Sequence, residues 1–128
     1  MAHPVIHFEI MSDQAPKLRE FYSDVFDWKF AAPMPTGTDG GGDYATVETK
    51  SPNGNGIDGG IGTTANGYPG HLTFYVYSDD LEGTLKKVES LGGKIVMAPS
   101  PIPGMPIEIA LFQDPAGNTI GLVNPHEG

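Results

Sequence analysis

Two short strands carry the side chains best suited to chemistry. In residues 5–11 (VIHFEIM), Ile6, Phe8 and Ile10 alternate with His7, Glu9 and Met11, the period-two pattern of a half-buried strand. An imidazole with an ordinary pKa of about 6.5 suits a general base, or an orienting hydrogen bond to a ligand. Glu9, next on the same face, would tune that histidine or form an ion pair at a rim. The plainer alternative for His7 is a strand histidine bonded to a neighbour. Residues 71–77 (HLTFYVY) repeat the pattern, setting His71, Thr73, Tyr75 and Tyr77 against Leu72, Phe74 and Val76. Tyr75 and Tyr77 make an aromatic stripe that fits a ligand platform, a dimer interface or a core. His71, at the strand start, reads first as a packing residue.

The elements that must position these groups follow from the surrounding periodicity. Asp13 is a candidate N-cap for a helix whose Leu18, Phe21, Tyr22, Val25 and Phe26 recur at i, i+3, i+4, i+7 and i+8, which predicts that these five face the core. Residues 28–31 read as a short strand, with Trp28 and Phe30 anchoring the helix–sheet junction. Residues 33–42 (PMPTGTDGGG) read as a loop, 44–49 as a strand, 51–55 as a turn and 59–63 as a strand. In the second half, Asp79 or Asp80 caps a helix bearing Leu81, Leu85, Val88 and Leu91, and Gly92-Gly93 ends it. Residues 94–97 form a strand and 98–106 a Pro-rich rim loop. Residues 107–112 and 119–123 are strands around the turn 114–118.

The order is βαβββ twice. Ser12-Asp13 and Ser78-Asp79 coincide at an offset of 66, as do Phe8 and Phe74, and Ile10 and Val76. An internal duplication at that length points to one domain over 1–128, with modules at about 4–64 and 70–124. The expected class is α+β. One helix covers one face of each four-stranded sheet, so Ile6, Phe8 and Ile10, or Leu72, Phe74 and Val76, should pack on the helices. The opposite face, bearing His7, Glu9, Thr73, Tyr75 and Tyr77, would line a cup-shaped sheet and hold a ligand.

Composition removes several function classes. Lys and Arg number 7 against 16 Asp and Glu among 128 residues, a net charge of −9. No basic stripe can be built for nucleic acid, and anionic lipid surfaces are disfavoured. The acidity serves solubility and would also attract cationic ligands. There is no cysteine, which rules out disulfides, thiolate metal sites and a cysteine nucleophile. The glycine runs are followed by no phosphate-loop lysine, and no Gly-x-Ser-x-Gly or His-Glu-x-x-His is present. No apolar run is long enough to span a membrane, and the opening Met-Ala-His-Pro lacks the features of a signal peptide, so a cytoplasmic protein is expected.

Two stretches are the most specific. In HFEIMSDQAPKLREFYSDVFDW, the strand histidine stands 14 and 15 residues before Phe21-Tyr22, and DPAGNTIGL lies near the C-terminus. With the duplicated βαβββ pattern, they resemble the vicinal oxygen chelate superfamily, which includes glyoxalase I, bleomycin-resistance proteins and extradiol dioxygenases. The resemblance runs from Val5 to Val123. It implies a ligand site within the cup and a homodimer. In the metal-dependent members, one divalent ion is held by four side chains: His or Gln on the first strand of each module, and Glu on the last. His7 matches the first position. The second falls among Gly60, Ile61 and Gly62, the third on Thr73, and the fourth on Gly121, with His71 one pleat from Thr73, about 7 Å along the strand.

Glycine offers no side-chain donor, so no metal cofactor is expected. A Zn, Ni, Mn or Fe ion in a shell remodelled with Glu9 or Glu48 is the alternative. The expected function is therefore a glyoxalase- or bleomycin-resistance-like protein binding a small organic molecule. Thr73, Tyr75, His71 and Gly121 are its candidate ligand positions, with Met105 a possible apolar contact from the rim loop. The alternative is a lyase, isomerase or dioxygenase-like enzyme using His7 and Glu9 as acid/base residues. A third reading is a structural module with a vestigial cup. The expected partners are a small molecule and a second copy of the chain, with neither nucleic acid nor membrane.

Overall fold

The alternation in the first strand is realised as β1 (Val5–Ser12), which helix α1 (Ala15–Phe26) follows. The computed structural model describes residues 2–35, 42–64, 67–102 and 105–125. The chain forms two units: one holds His7–Leu72, the other Met1–Ile6 with Thr73–Gly128. Both follow the βαβββ order read from the sequence, so the α+β class holds. Among the described residues, no helix is long and apolar enough to cross a membrane.

In the 7–72 unit the strand order is β2 (Met34–Pro35), β3 (Asp43–Val47), β4 (Asp58–Thr63), β1. β1 runs parallel to β4, pairing His7 with Asp58 and Glu9 with Gly60, and β3 is antiparallel to β4. The strand expected at 28–31 is only a bridge from Phe30 to Val47, and β2 falls instead at the start of the expected loop. The rest of that loop, 36–41, lies outside the described residues. Asp27 ends α1 in the left-handed region, φ 58°. That turn folds Trp28 back onto Phe8, Tyr22 and Phe26, with ring centroids 5.3, 5.5 and 5.3 Å away. Trp28 anchors the helix–sheet junction as expected.

The buried face of α1 differs from the expected one. Ala15 and Arg19 are buried, whereas Phe21, Val25 and Phe26 are 55, 53 and 56% exposed. The reason is a polar contact across the sheet. Arg19 Nη1 donates to the Ile61 carbonyl at 2.9 Å, and the guanidinium meets Asp43 at 3.4 and 3.5 Å. A guanidinium that has found a carboxylate and a carbonyl can be buried, and turning it inward rotates the aromatic side chains outward. Asp13 does not cap this helix; Gln14 precedes it, and Ser12 Oγ accepts from the Gln14 N–H.

In the second unit the order is β5 (His71–Tyr77), β8 (Thr119–Pro125), β7 (Ile107–Gln113), β6 (Lys94–Pro101). Helix α2 (Leu81–Ser90) is capped by Asp80, whose carboxylate accepts from the Gly83 N–H at 3.0 Å. Leu81 and Leu85 pack with Ala110 and Leu122, joined by Val76 and Phe112. The helix lies against β6, β7 and β8, so it covers only the Val76 end of β5. Leu72 and Phe74, expected under a helix, are 76 and 40% exposed. Leu91 falls at the C-cap and is exposed. β6 runs on to Pro101, through the first part of the expected rim loop.

Candidate functional site

The first two residues of β5, His71 and Leu72, belong with the 7–72 unit, and this places His71 beside β1. Three of the expected site residues, His7, Glu9 and His71, thus meet in one unit. Glu9 is 8% exposed, and its Oε2 accepts from His71 Nε2 at 2.6 Å. His71 Nδ1 lies 2.6 Å from the hydroxyl of Tyr68. With the Nε2 proton given to the carboxylate, Nδ1 is left as acceptor for the phenol O–H. Burial and the Glu9 charge together raise the Tyr68 pKa above its ordinary value, so the phenol keeps its proton at neutral pH.

His7 Nε2 stands 2.8 Å from the Tyr44 hydroxyl. Tyr44 is on β3 opposite Gly62, and its ring lies over Gly60: a Cβ at Gly60 would come within 2.2 Å of it. Opposite His7, one oxygen of the Asp58 carboxylate is buried without a hydrogen-bond partner among the described residues, and the other lies 3.9 Å from Lys50 Nζ. Burial lowers the His7 pKa below 6.5, outweighing the upward pull of Glu9 and Asp58.

His7 is therefore neutral near neutral pH. The unfolded chain takes up this proton first. The stability linked to His7 is thus complete above 6.5 and is lost as pH falls from there towards the folded value. NMR titration of the His7 ring should give a midpoint below 6.5. A midpoint above it would mean that the two carboxylates outweigh burial.

The remaining candidates sit in the other unit. Thr73 is buried, and its hydroxyl donates to the Thr119 carbonyl at 2.6 Å. Tyr75 is buried beside Gly121, its partner across the β5–β8 pair, and a Cβ at Gly121 would come within 2.4 Å of the Tyr75 ring. Met105 is exposed, and Glu48 is exposed just beyond β3.

These contacts test the metal shell implied by the resemblance, and the residues do not fit it. The carboxylate position expected among Gly60, Ile61 and Gly62 offers no carboxylate, and the Tyr44 ring takes the side-chain space of both glycines; Gly121, the other expected position, has its space taken by the Tyr75 ring. His7 Nε2 is engaged by Tyr44. Among the described residues, no group of three or more His, Asp or Glu could hold a metal ion. Sequence reading missed Tyr44 and Tyr68. For Tyr68 the available signal was an aromatic side chain between Gly67 and Pro69, just before a strand histidine.

Paired βαβββ modules with titratable side chains on the strand face turned away from the helix define a class of α+β protein. The chain belongs to the Glyoxalase/Bleomycin resistance protein/Dioxygenase superfamily, whose sequence profile matches residues 5–122. It is similar to a hypothetical protein of Bacillus halodurans at TM-score 0.75 and 11% identity, covering 100% of this chain and 98% of that one. A variant of Streptomyces coelicolor methylmalonyl-CoA epimerase, solved with 2-nitronate-propionyl-CoA, superposes at TM-score 0.69 and 13% identity, covering 99 and 97%. The epimerase of Mycobacterium tuberculosis does so at 0.67 and 16%, covering 94 and 87%. At these identities the likeness is one of fold. The anthracycline biosynthesis protein DnrV of Streptomyces peucetius is 38% identical over 58 residues, 45% of this chain and 21% of that protein. The matched segment thus spans about a fifth of that relative's length.

Proposed function

We propose that the protein binds a small organic molecule on the His7–Glu9 face of the 7–72 unit, without the divalent metal of its metal-dependent relatives. One observation carries the reading: β1 aims two hydrogen-bonded chains, His7–Tyr44 and Glu9–His71–Tyr68, from a single face. Burying such groups costs several kcal/mol if they are poorly paired, and a sheet of this size could be built with apolar residues there. Converging polar groups walled by tyrosine are the ordinary make-up of a ligand site.

The Streptomyces coelicolor epimerase variant was solved with 2-nitronate-propionyl-CoA, and the Streptomyces peucetius relative is named for anthracycline biosynthesis. Of these two chemistries, the net charge of −9 favours a neutral or cationic aromatic compound over a CoA ester with several phosphate charges. Assembly as a homodimer is part of the same proposal, and sedimentation of the purified chain reads it directly.

A thermal-shift screen, with cationic and aromatic compounds first, tests the reading. A true ligand at 100-fold excess over its Kd adds about 2.7 kcal/mol, which should raise Tm by roughly 5–10 °C. Tyr44→Phe and His7→Ala should each shrink that rise. If every shift survives both substitutions, the ligand binds elsewhere and the reading is wrong.

A further inference from the structure

The segment that carries Tyr68 is held against β1 by backbone geometry. Gly67 and Gly70 adopt φ values of 77 and 98°, and a Cβ at Gly70 would lie 2.2 Å from the Met11 carbonyl. Only glycine permits both that conformation and that approach. The turn therefore delivers Tyr68, and with it His71 from 62 positions away, to Glu9. The Glu9 and His71 side chains are each 10% exposed, and Tyr68, the outer member, is 42% exposed. Both imidazole nitrogens are used, one towards the carboxylate and one towards the phenol.

We propose that Tyr68, His71 and Glu9 form a proton relay that makes the Tyr68 oxygen a general base towards a bound carbon acid, a molecule whose C–H is acidified by an electron-withdrawing neighbour. The inference rests on the reading that this face takes a small organic molecule. The substrate C–H bond breaks and its proton bonds to Tyr68 Oη as the phenolic proton passes to His71 Nδ1. The electron pair stays on the substrate as a delocalised carbanion. His71 becomes an imidazolium, its Nε2–H held by the Glu9 carboxylate. Returning the proton to the same carbon or to another one completes the cycle, and no oxidant or reductant is needed. Tyr68 is the catalytic residue; His71 and Glu9 act through it as positioning residues.

The probe is 5-nitrobenzisoxazole, in which loss of the C3 proton breaks the N–O bond and releases coloured 2-cyano-4-nitrophenolate. The full-length protein should turn it over with saturation. Tyr68→Phe, a one-oxygen change at an exposed residue, should lower kcat by about 100-fold or more with KM unchanged. Glu9→Gln should lower kcat by about 10- to 100-fold, with partial rescue by Glu9→Asp. In the free protein, the His71 Nε2–H resonance should lie far downfield and move upfield in Glu9→Gln while circular dichroism is unchanged. Wild-type turnover no faster than buffer, or turnover indifferent to Tyr68→Phe, overturns the relay. A probe that raises Tm but is not turned over also overturns the relay, while the binding reading stands. A probe that does neither counts against both.

Discussion

Gly121→Glu is expected to destabilise the protein by about 3 kcal/mol and to bind no stoichiometric metal. This substitution supplies the carboxylate that the family resemblance implies for this position, so it tests whether the position can act as a ligand. The buried Tyr75 ring occupies the space: its atoms lie 2.4, 2.5 and 2.8 Å from where a Cβ would sit. A buried ring cannot swing into solvent, so the strain must be taken up by the β5–β8 pair. Gly121→Ala should already cost about 1–2 kcal/mol, and Tyr75→Ala combined with either substitution should recover part of the loss through a coupling of about 1 kcal/mol. Urea unfolding gives the stabilities, and elemental analysis after dialysis gives the metal. Wild-type stability with one bound metal per chain would show that the ring yields and that Gly121 is a working ligand position.

Arg19→Ala is expected to cost about 3 kcal/mol, and Arg19→Met about 2, from equilibrium unfolding. The guanidinium is buried, so its loss removes donors from the Ile61 carbonyl and from Asp43 and leaves a gap beneath α1. The expectation is kept below that for a fully buried pair because the Asp43 side chain is 32% exposed and the ion-pair distance is a long 3.4 Å. Methionine fills the gap without the charge, so the difference between the two variants separates packing from electrostatics. The Asp43 carboxyl is held below its ordinary pKa chiefly by the Thr63 hydroxyl, and to a lesser degree by Arg19. Its contribution is therefore present above the unfolded value of 3.8 and lost as pH falls through the lower folded value. Without Arg19, that acid-side loss should be smaller. Full wild-type stability in Arg19→Met would mean that α1 is set by shape alone.

Much of the fold was legible because its signals are local. Period-two alternation marks β1 and β5, the offset of 66 marks the duplication, and the Gly-Gly after Leu91 marks the end of α2. The contents of the ligand positions were legible for the same reason. Gly60, Ile61, Gly62 and Gly121 lack donor side chains wherever the chain places them. The strand face that carries His7 and Glu9 followed from pleating alone.

What the tertiary structure decided is which distant residues meet. Alternation says that His71 and Glu9 each have a face; it says nothing of a 2.6 Å bond across 62 positions. The rotation of α1 was misread because its spacing favours five apolar residues, while Asp43 and the Ile61 carbonyl, far along the chain, can bury Arg19 instead. In the same way, a glycine in sequence reads as an empty ligand position. Only packing shows that the Tyr44 and Tyr75 rings fill the space a side chain would need. Periodicity is a property of neighbours along the chain, whereas hydrogen-bond partners and close packing are properties of neighbours in space.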